Sequence, residues 1–324
     1  MQALTYIERL RLETSYPEPD LPPGEALLKV RLAGICRTDL ELTRGYMDFE
    51  GVLGHEFVAE VVEADTPPLV GQRVVGEINC PCRECPTCAE GIPNHCPDRT
   101  VLGILGRDGA FAEYTTLPEA NLHPLPEGLE ERTAVFAEPL AAALQVLDQV
   151  PIDEETTACV LGDGRLGLLV AQVLRTTGCR LTVLGHHEHN LDILRARGIA
   201  ASLASEAPGV RYGVVVEVTG SPAGLHALDL VVPRGTVVQK TTVAGKPLLP
   251  WPRWSSTRSR SSAAGVDRWG RPWSGSQPDG WRWSRSSRPP TLLPKVSRPF
   301  NTPPARVPAR SSSPWMPERP ARRG

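Results

Sequence analysis

Between a Val-rich run and an apolar-periodic stretch stands Val160-Leu161-Gly162-Asp163-Gly164-Arg165-Leu166-Gly167. A bare G-x-G-x-x-G says little, but after a strand-like segment and before a helix-like one it constrains the fold. The first Gly makes a tight turn, the second lets a ligand approach the backbone, and the third lets helix and strand pack closely. Unpaired N–H groups and the helix dipole at such a turn suit a pyrophosphate. Gly162, Gly164, Arg165, Leu166 and Gly167 are therefore candidate binding residues within a strand–helix–strand unit.

The surrounding pattern agrees with that unit. From about Leu140, helical stretches alternate with the compact runs TACVLG, RLTVLG, YGVVVEVTG and GTVVQK. Such alternation argues for a parallel sheet with helices on its faces. Residues 1–139 read differently: short segments such as ALLKVRLAGI, HEFVAEVVEA, QRVVGEI and AFAEYTTL are cut by Gly and Pro. That is the pattern of an all-β, barrel-like domain. The expected division is thus 1–139, 140–253 and a remainder, 254–324.

The remainder is of another kind. Residues 254–324 carry 14 Lys and Arg against 3 acids, so the chain's formal charge of −2 conceals a basic end on an acidic body. They also hold 14 Ser, 12 Pro and six of the seven Trp, with neither helical nor strand period. One reading is a disordered basic tail able to touch nucleic acid. Its Trp content speaks against that, since disordered segments are poor in aromatics. The other reading is an off-frame translation of GC-rich DNA. Shifting the frame, WSSTRSRSSAAG permits V-V-D-E-V-x-V-V-G, and GRPWSGSQPDGWRWSRSS permits an amphipathic helix followed by a strand. The frame-shifted reading is preferred, and it predicts a parallel sheet lacking its sixth strand.

Composition otherwise fits a globular protein of two domains, with 40% apolar and 22% charged residues. No apolar run approaches the roughly 18 residues that a membrane span needs. MQALTYIERLRLE has charges where a signal peptide needs an apolar core, so a cytoplasmic location is expected. Five of the eight cysteines fall between Cys80 and Cys96, which favours a metal site over disulfides. Cys82, Cys85, Cys88 and Cys96 have spacings that let four thiolates converge on a closed, structural zinc site. Cys80 is a spare thiol, and His95 is a less favoured substitute ligand. Ribbon-type nucleic-acid modules also carry four cysteines, though usually as two separated pairs.

Two further segments are Gly34-Ile35-Cys36-Arg37-Thr38-Asp39 and Gly54-His55-Glu56. Taken with the cysteine loop and the glycine turn, their order and spacing resemble the zinc-dependent medium-chain alcohol dehydrogenases, over about residues 20–250. The polyol, glucose and threonine-type branch is the most similar, because Ala137-Glu138-Pro139-Leu140 stands where liver-type members have a Cys. One departure is Ala59, where the family usually has Gly.

The resemblance implies a GroES-like domain followed by a doubly wound Rossmann domain, and two zinc ions per chain. Cys36 and His55 would be ligands to a catalytic zinc, Glu138 a direct or water-mediated one, and Glu56 an exchanging one. Thr38 would pass the substrate hydroxyl proton outward, Asp39 would orient His55, and Arg37 would face the cofactor pyrophosphate or solvent. The expected reaction moves hydride between an alcohol or sugar substrate and a nicotinamide. Homodimers or homotetramers are the family's expectation. A catalytically dead relative, or a zinc-stabilised binding protein using a basic tail on nucleic acid, are the rival readings.

About twenty residues after the glycine turn, an NAD enzyme carries Asp or Glu for the ribose hydroxyls. Here Gly185, His186 and His187 follow Leu184 instead, which favours NADP over NAD. Glu188 would serve as the acid if the turn were displaced, and His186, His187 and His189 read as an exposed loop rather than a metal site. Thr219, within Glu217-Val218-Thr219-Gly220, is expected near the nicotinamide.

Overall fold

The computed structural model describes residues 1–242 except 208, 222, 223 and 225, together with 260–263. The short alternating runs of the N-terminal part fold as β-strands, because side chains two apart share one face and bury it together. These are β1 (Ala3–Ile7), β2 (Arg9–Glu13) and β3 (Glu25–Gly34), followed by the short helix α1 (Arg37–Leu42). Next come β4 (Gly51–Val52), β5 (Glu56–Glu63), β6 (Arg73–Gly76) and β7 (Asn79–Cys80). A one-turn helix α2 (Pro86–Ala89) interrupts them before β8 (Thr100–Leu102), β9 (Gly106–Arg107), β10 (Tyr114–Pro118) and β11 (Leu122–Pro124).

The largest sheet of this part is antiparallel, in the order β10-β3-β5-β6-β11. Two smaller sheets have the orders β2-β1-β4 and β7-β8-β9. Leu28, Phe57, Val61, Val74, Leu102 and Leu117 form its buried core. The Gly34–Glu56 register pairs the end of β3 with the start of β5. That register sets Cys36, just beyond β3, beside His55, just before β5.

Helices α3 (Glu131–Ala134) and α4 (Ala137–Gln149) lead into the second half. The expected division between residues 139 and 140 falls in the first turn of α4. Ala143, Val146 and Val150 of this segment pack into the core of the parallel sheet, while Ala137 packs against the antiparallel one.

Strands and helices then alternate as expected: β12 (Thr157–Leu161), α5 (Arg165–Arg175), β13 (Arg180–Gly185), α6 (Glu188–Arg195), β14 (Ala200–Leu203), β15 (Tyr212–Glu217), α7 (Ala227–Leu230), β16 (Val231–Gln239) and β17 (Arg260–Ala263). Val160, Val183 and Val216 are fully buried, as strands covered on both faces require. All five strand pairs are parallel, in the order β14-β13-β12-β15-β16-β17. Numbered along the chain that order is 3-2-1-4-5-6, the doubly wound dinucleotide-binding arrangement.

One expectation is corrected. The sheet does not lack its sixth strand: β17 pairs with β16 from Thr236↔Arg260 to Gln239↔Ala263. Strand propensity could not have found it, since Arg-Ser-Ser-Ala carries little apolar pattern. A parallel ladder is made by backbone groups, and the exposed edge of β16 offers those to any extended segment. The preferred frame-shifted reading otherwise falls on residues 254–259 and 264–324, which lie outside the described residues. The described residues all fall within one compact unit, Met1–Trp269.

Candidate functional site

The two expected thiol-containing centres can be built from the backbone up. Cys36 ends the extended segment after β3 and is the N-cap of α1, with ψ 158°. Asp39, three residues on, returns its Oδ2 to accept the Cys36 N–H at 2.7 Å, closing a capping box. Asp39 Oδ1 stands 3.2 Å from His55 Nδ1. One buried carboxylate therefore braces both candidate ligands, one with each oxygen. The Oδ1–Nδ1 approach is an ion-pair contact without hydrogen-bond geometry, and both atoms are buried without a hydrogen bond.

One ligand atom each from Cys36, His55 and Glu56 lies within 4.8 Å of the others. Glu56 reaches that group because Gly34 opposes it in the sheet: a Cβ at residue 34 would come within 2.5 Å of Glu56 Oε2. A thiol, an imidazole and a carboxylate converging with an orphaned imidazole nitrogen behind them fit a zinc ion at an open site. Thr38 Oγ1 is 3.7 Å from the Cys36 sulfur. Because Asp39 holds two of the three donors, Asp39→Asn is expected to weaken zinc affinity about 10- to 100-fold, read by competition with a chelating dye. An unchanged affinity would deny Asp39 that role.

Glu138, in the first turn of α4, stands outside the three-ligand group but close to it. It is buried, and its carboxyl is raised to about 7 by burial, against the lowering effects of His55 and Lys240. Glu56 is also raised, by burial foremost, with His55 and Arg165 opposing. Burial lowers the basicity of His55, but the Asp39 charge outweighs it, and the net direction is well above the ordinary imidazole value.

The Glu138 shift has a sign that can be tested without metal. Below the unfolded value near 4.5 both states hold the proton, and nothing is lost. As pH rises toward 7 the unfolded chain releases it first, so folding stability falls. At about 1.4 kcal/mol per pH unit, the loss in zinc-free protein is roughly 3 kcal/mol. Urea unfolding between pH 4.5 and 7 should show that decline, and Glu138→Gln should lessen it, leaving the smaller part that belongs to Glu56. An equal decline in both proteins would assign it elsewhere.

The cysteine loop forms a second centre. Cys85 opens α2, and a single 3₁₀ turn over Pro93–His95 brings Cys96 back. The sulfur separations are 3.5 Å for Cys85–Cys88, 3.7 Å for Cys85–Cys96, 3.5 Å for Cys96–Cys82 and 4.0 Å for Cys82–Cys88. Four sulfurs about 2.3 Å from a tetrahedral zinc are about 3.8 Å apart, so the donor set fits that ion. The separations are far too long for disulfides, which need about 2.05 Å. Burial pushes the Cys80 thiol up to about 11, in keeping with a protonated neighbour. Among the described residues these are the two clusters with metal-site spacing, so His186, His187 and His189 do not form a third.

The glycine turn is built as its motif demands. Gly162 adopts φ +123°, and a Cβ there would lie 2.8 Å from Val218 O. A Cβ at Gly167 would lie 2.1 Å from Gly162 O, whereas at Gly164, the N-cap of α5, it would meet open space. Close packing behind and an open approach in front are what a pyrophosphate cradle requires. Arg165, at the start of α5, donates from Nη2 to Ile35 O, the residue before Cys36. The glycine turn and the three-ligand group are thereby neighbours.

Arg37 pairs with Glu41 at 2.9 Å, and its Nε lies 3.9 Å from a Cβ placed on Gly220. It therefore sits against the loop after β15. Glu188 pairs with Arg195 at 2.7 Å, so it is committed within α6. Thr219 donates its hydroxyl to Glu217 Oε1 at 2.6 Å. Three groups went unforeseen: buried Glu217, which also accepts from Thr241; buried Glu41, which joins Arg37 to Arg44; and Asp163. Their letters were visible, but their burial was not, and an Asp inside a glycine motif reads as a spacer.

Residues 22–127 match the alcohol dehydrogenase GroES-like domain family. L-threonine 3-dehydrogenase of Streptomyces avermitilis is 34% identical over 237 residues, spanning 65% of this chain and 67% of that protein. Sorbitol dehydrogenase of Halalkalibacterium halodurans is 31% identical over 243 residues, spanning 69% and 71%. The chain belongs to the zinc-dependent medium-chain alcohol dehydrogenase family.

It is accordingly an oxidoreductase of that family. Solved dehydrogenases share its fold. An alcohol dehydrogenase from Escherichia coli CFT073, complexed with NADH, superposes with a TM-score of 0.71 at 26% identity, covering 82% of this chain and 84% of that one. A zinc-binding dehydrogenase from Sinorhizobium meliloti 1021, bound to NADP, gives 0.69 at 28% identity, covering 80% and 82%. Among the described residues of this dehydrogenase, no helix is long and apolar enough to cross a membrane.

Proposed function

We propose that this dehydrogenase interconverts a secondary alcohol, polyol or sugar with its carbonyl compound, with NADP preferred to NAD and two zinc ions per chain. The observation that carries the reading is the meeting of Cys36, His55 and Glu56 within 4.8 Å, joined through Arg165 and Ile35 to the glycine turn. A zinc ion held there would supply Lewis acidity toward the substrate oxygen. The chain's own residues do the rest. Asp39 fixes the two ligands it braces, Gly164 leaves room for the pyrophosphate, and Thr38 offers the substrate hydroxyl a first proton acceptor. Glu138, buried near the group, is proposed as a further ligand, direct or through water. The loss of an acid at Gly185 removes a repulsion against a 2′-phosphate.

The test is an oxidation assay of the full chain with L-threonine, sorbitol and D-altritol, substrates named for its relatives. Formation of reduced nicotinamide, faster with NADP than NAD, is expected on at least one polyol. Two bound zinc ions with no turnover on alcohols, polyols or sugars would overturn the reading.

A further inference from the structure

Strand β13 ends at buried Gly185, where an NAD-type sheet would carry its ribose-binding acid. A Cβ at that position would lie 2.5 Å from both Cβ and Cγ of Asp163, and 2.7 Å from its Oδ2. The Asp163 carboxylate thus fills the space in which a side chain at residue 185 would begin. An acid is present after all, moved from the strand end into the glycine turn.

The move changes what the acid can do. Asp163 Oδ2 accepts the backbone N–H of His186 at 3.1 Å and of His187 at 2.6 Å. His187 Nδ1 lies 3.1 Å from Oδ1, and Asn190 Nδ2 donates to the Asp163 carbonyl at 2.9 Å. Asp163 is only 4% exposed, while the His187 side chain is 71% exposed. A carboxylate has about four lone-pair sites, and two backbone N–H groups and the His187 Nδ1 of the turn already face this one. It is an internal strut and not a surface acceptor.

We propose that Asp163 is a positioning residue that sets the choice between the two nicotinamide dinucleotides. Its side chain excludes any side chain at position 185, and with it the acceptor that NAD uses for its ribose hydroxyls. Its hydrogen bonds hold residues 185–187 in one shape, with His186 and His187 outermost and no acidic group facing a 2′-phosphate from the strand end. The inference rests on the reading that residues 162–187 bind a dinucleotide, and it adds which residue decides the selectivity.

Fluorescence titration of the full chain with NADPH and NADH tests it, with 2′,5′-ADP and AMP as redox-inert probes and zinc content as the control for folding. The parent should bind NADPH and 2′,5′-ADP more tightly than NADH and AMP. Asp163→Ala should weaken NADPH binding about tenfold or more, because two backbone donors lose a charged acceptor. Asp163→Asn keeps an oxygen for those donors and should stay within about threefold of the parent. Asp163→Gly combined with Gly185→Asp returns the acid to the strand end, and should bind NADH more tightly than NADPH.

A double variant whose NADH-to-NADPH ratio matches the parent's overturns the inference while leaving dinucleotide binding in place. So does a parent that prefers NADH, or Asp163→Asn losing as much as Asp163→Ala with zinc content intact. A zinc-loaded parent that binds neither dinucleotide overturns the underlying reading as well.

Discussion

Cys36→Ser is expected to lower kcat/KM by about a thousandfold or more while halving the zinc content, from two ions per chain to one. Cys36 is one of three donors within 4.8 Å, and it lies on a helix N-cap where Ser is structurally welcome. The backbone should therefore tolerate the change, and only the metal should notice. A hydroxyl is a poor zinc ligand beside a thiolate. A metal of this kind stabilises developing charge by several kcal/mol, and each 1.36 kcal/mol is tenfold in rate. Steady-state kinetics on the best polyol and elemental analysis of the purified variant would check this. Full activity with one zinc lost would show that the Cys36 centre is not where chemistry occurs. Full zinc with activity lost would leave Cys36 acting otherwise than as a ligand.

Cys96→Ser should act on stability instead, lowering Tm by about 10 °C or more. No residue from Cys82 to His95 is buried, so this loop has little apolar cohesion of its own. Cys96 is its one fully buried anchor, at 0% exposure, within 3.7 Å of two other sulfurs. Structural zinc sites contribute on the order of 10 kcal/mol of apparent binding energy. That rivals the whole net stability of a domain, about 5–15 kcal/mol. Losing even about 4 kcal/mol shifts Tm by roughly 10 °C at this size. Calorimetry of parent and variant, each with and without a strong chelator, decides it. Chelation should lower the parent's Tm by much more than the variant's, which has only the Cys36 site left to lose. A variant as stable as the parent would make the four cysteines an incidental cluster.

The two substitutions differ because their ligands were placed by different means. The four-cysteine loop was legible in the sequence, since short spacings alone bring Cys82, Cys85, Cys88 and Cys96 together on local turns. The glycine turn was legible for the same reason, as were the alternation of strands and helices after residue 140 and the absence of an acid at Gly185. Each depends on backbone geometry within a few residues. Glu138 was visible as a candidate, but its place outside the three-ligand group depends on how α4 sets against the antiparallel sheet.

What the amino-acid order determined by itself was the local chemistry: thiols at zinc spacing, glycines where a Cβ cannot fit, apolar runs with the period of buried strands. Tertiary structure alone decided which distant groups meet. The Gly34–Glu56 register carries Cys36 to His55, and the sheet order brings Asp163 against Gly185. It also decided that Arg-Ser-Ser-Ala becomes the sixth strand, because ladder hydrogen bonds belong to the backbone and leave no mark in side-chain pattern. Burial completes the division, for Asp163, Glu41 and Glu217 look like ordinary polar letters until the fold removes their water.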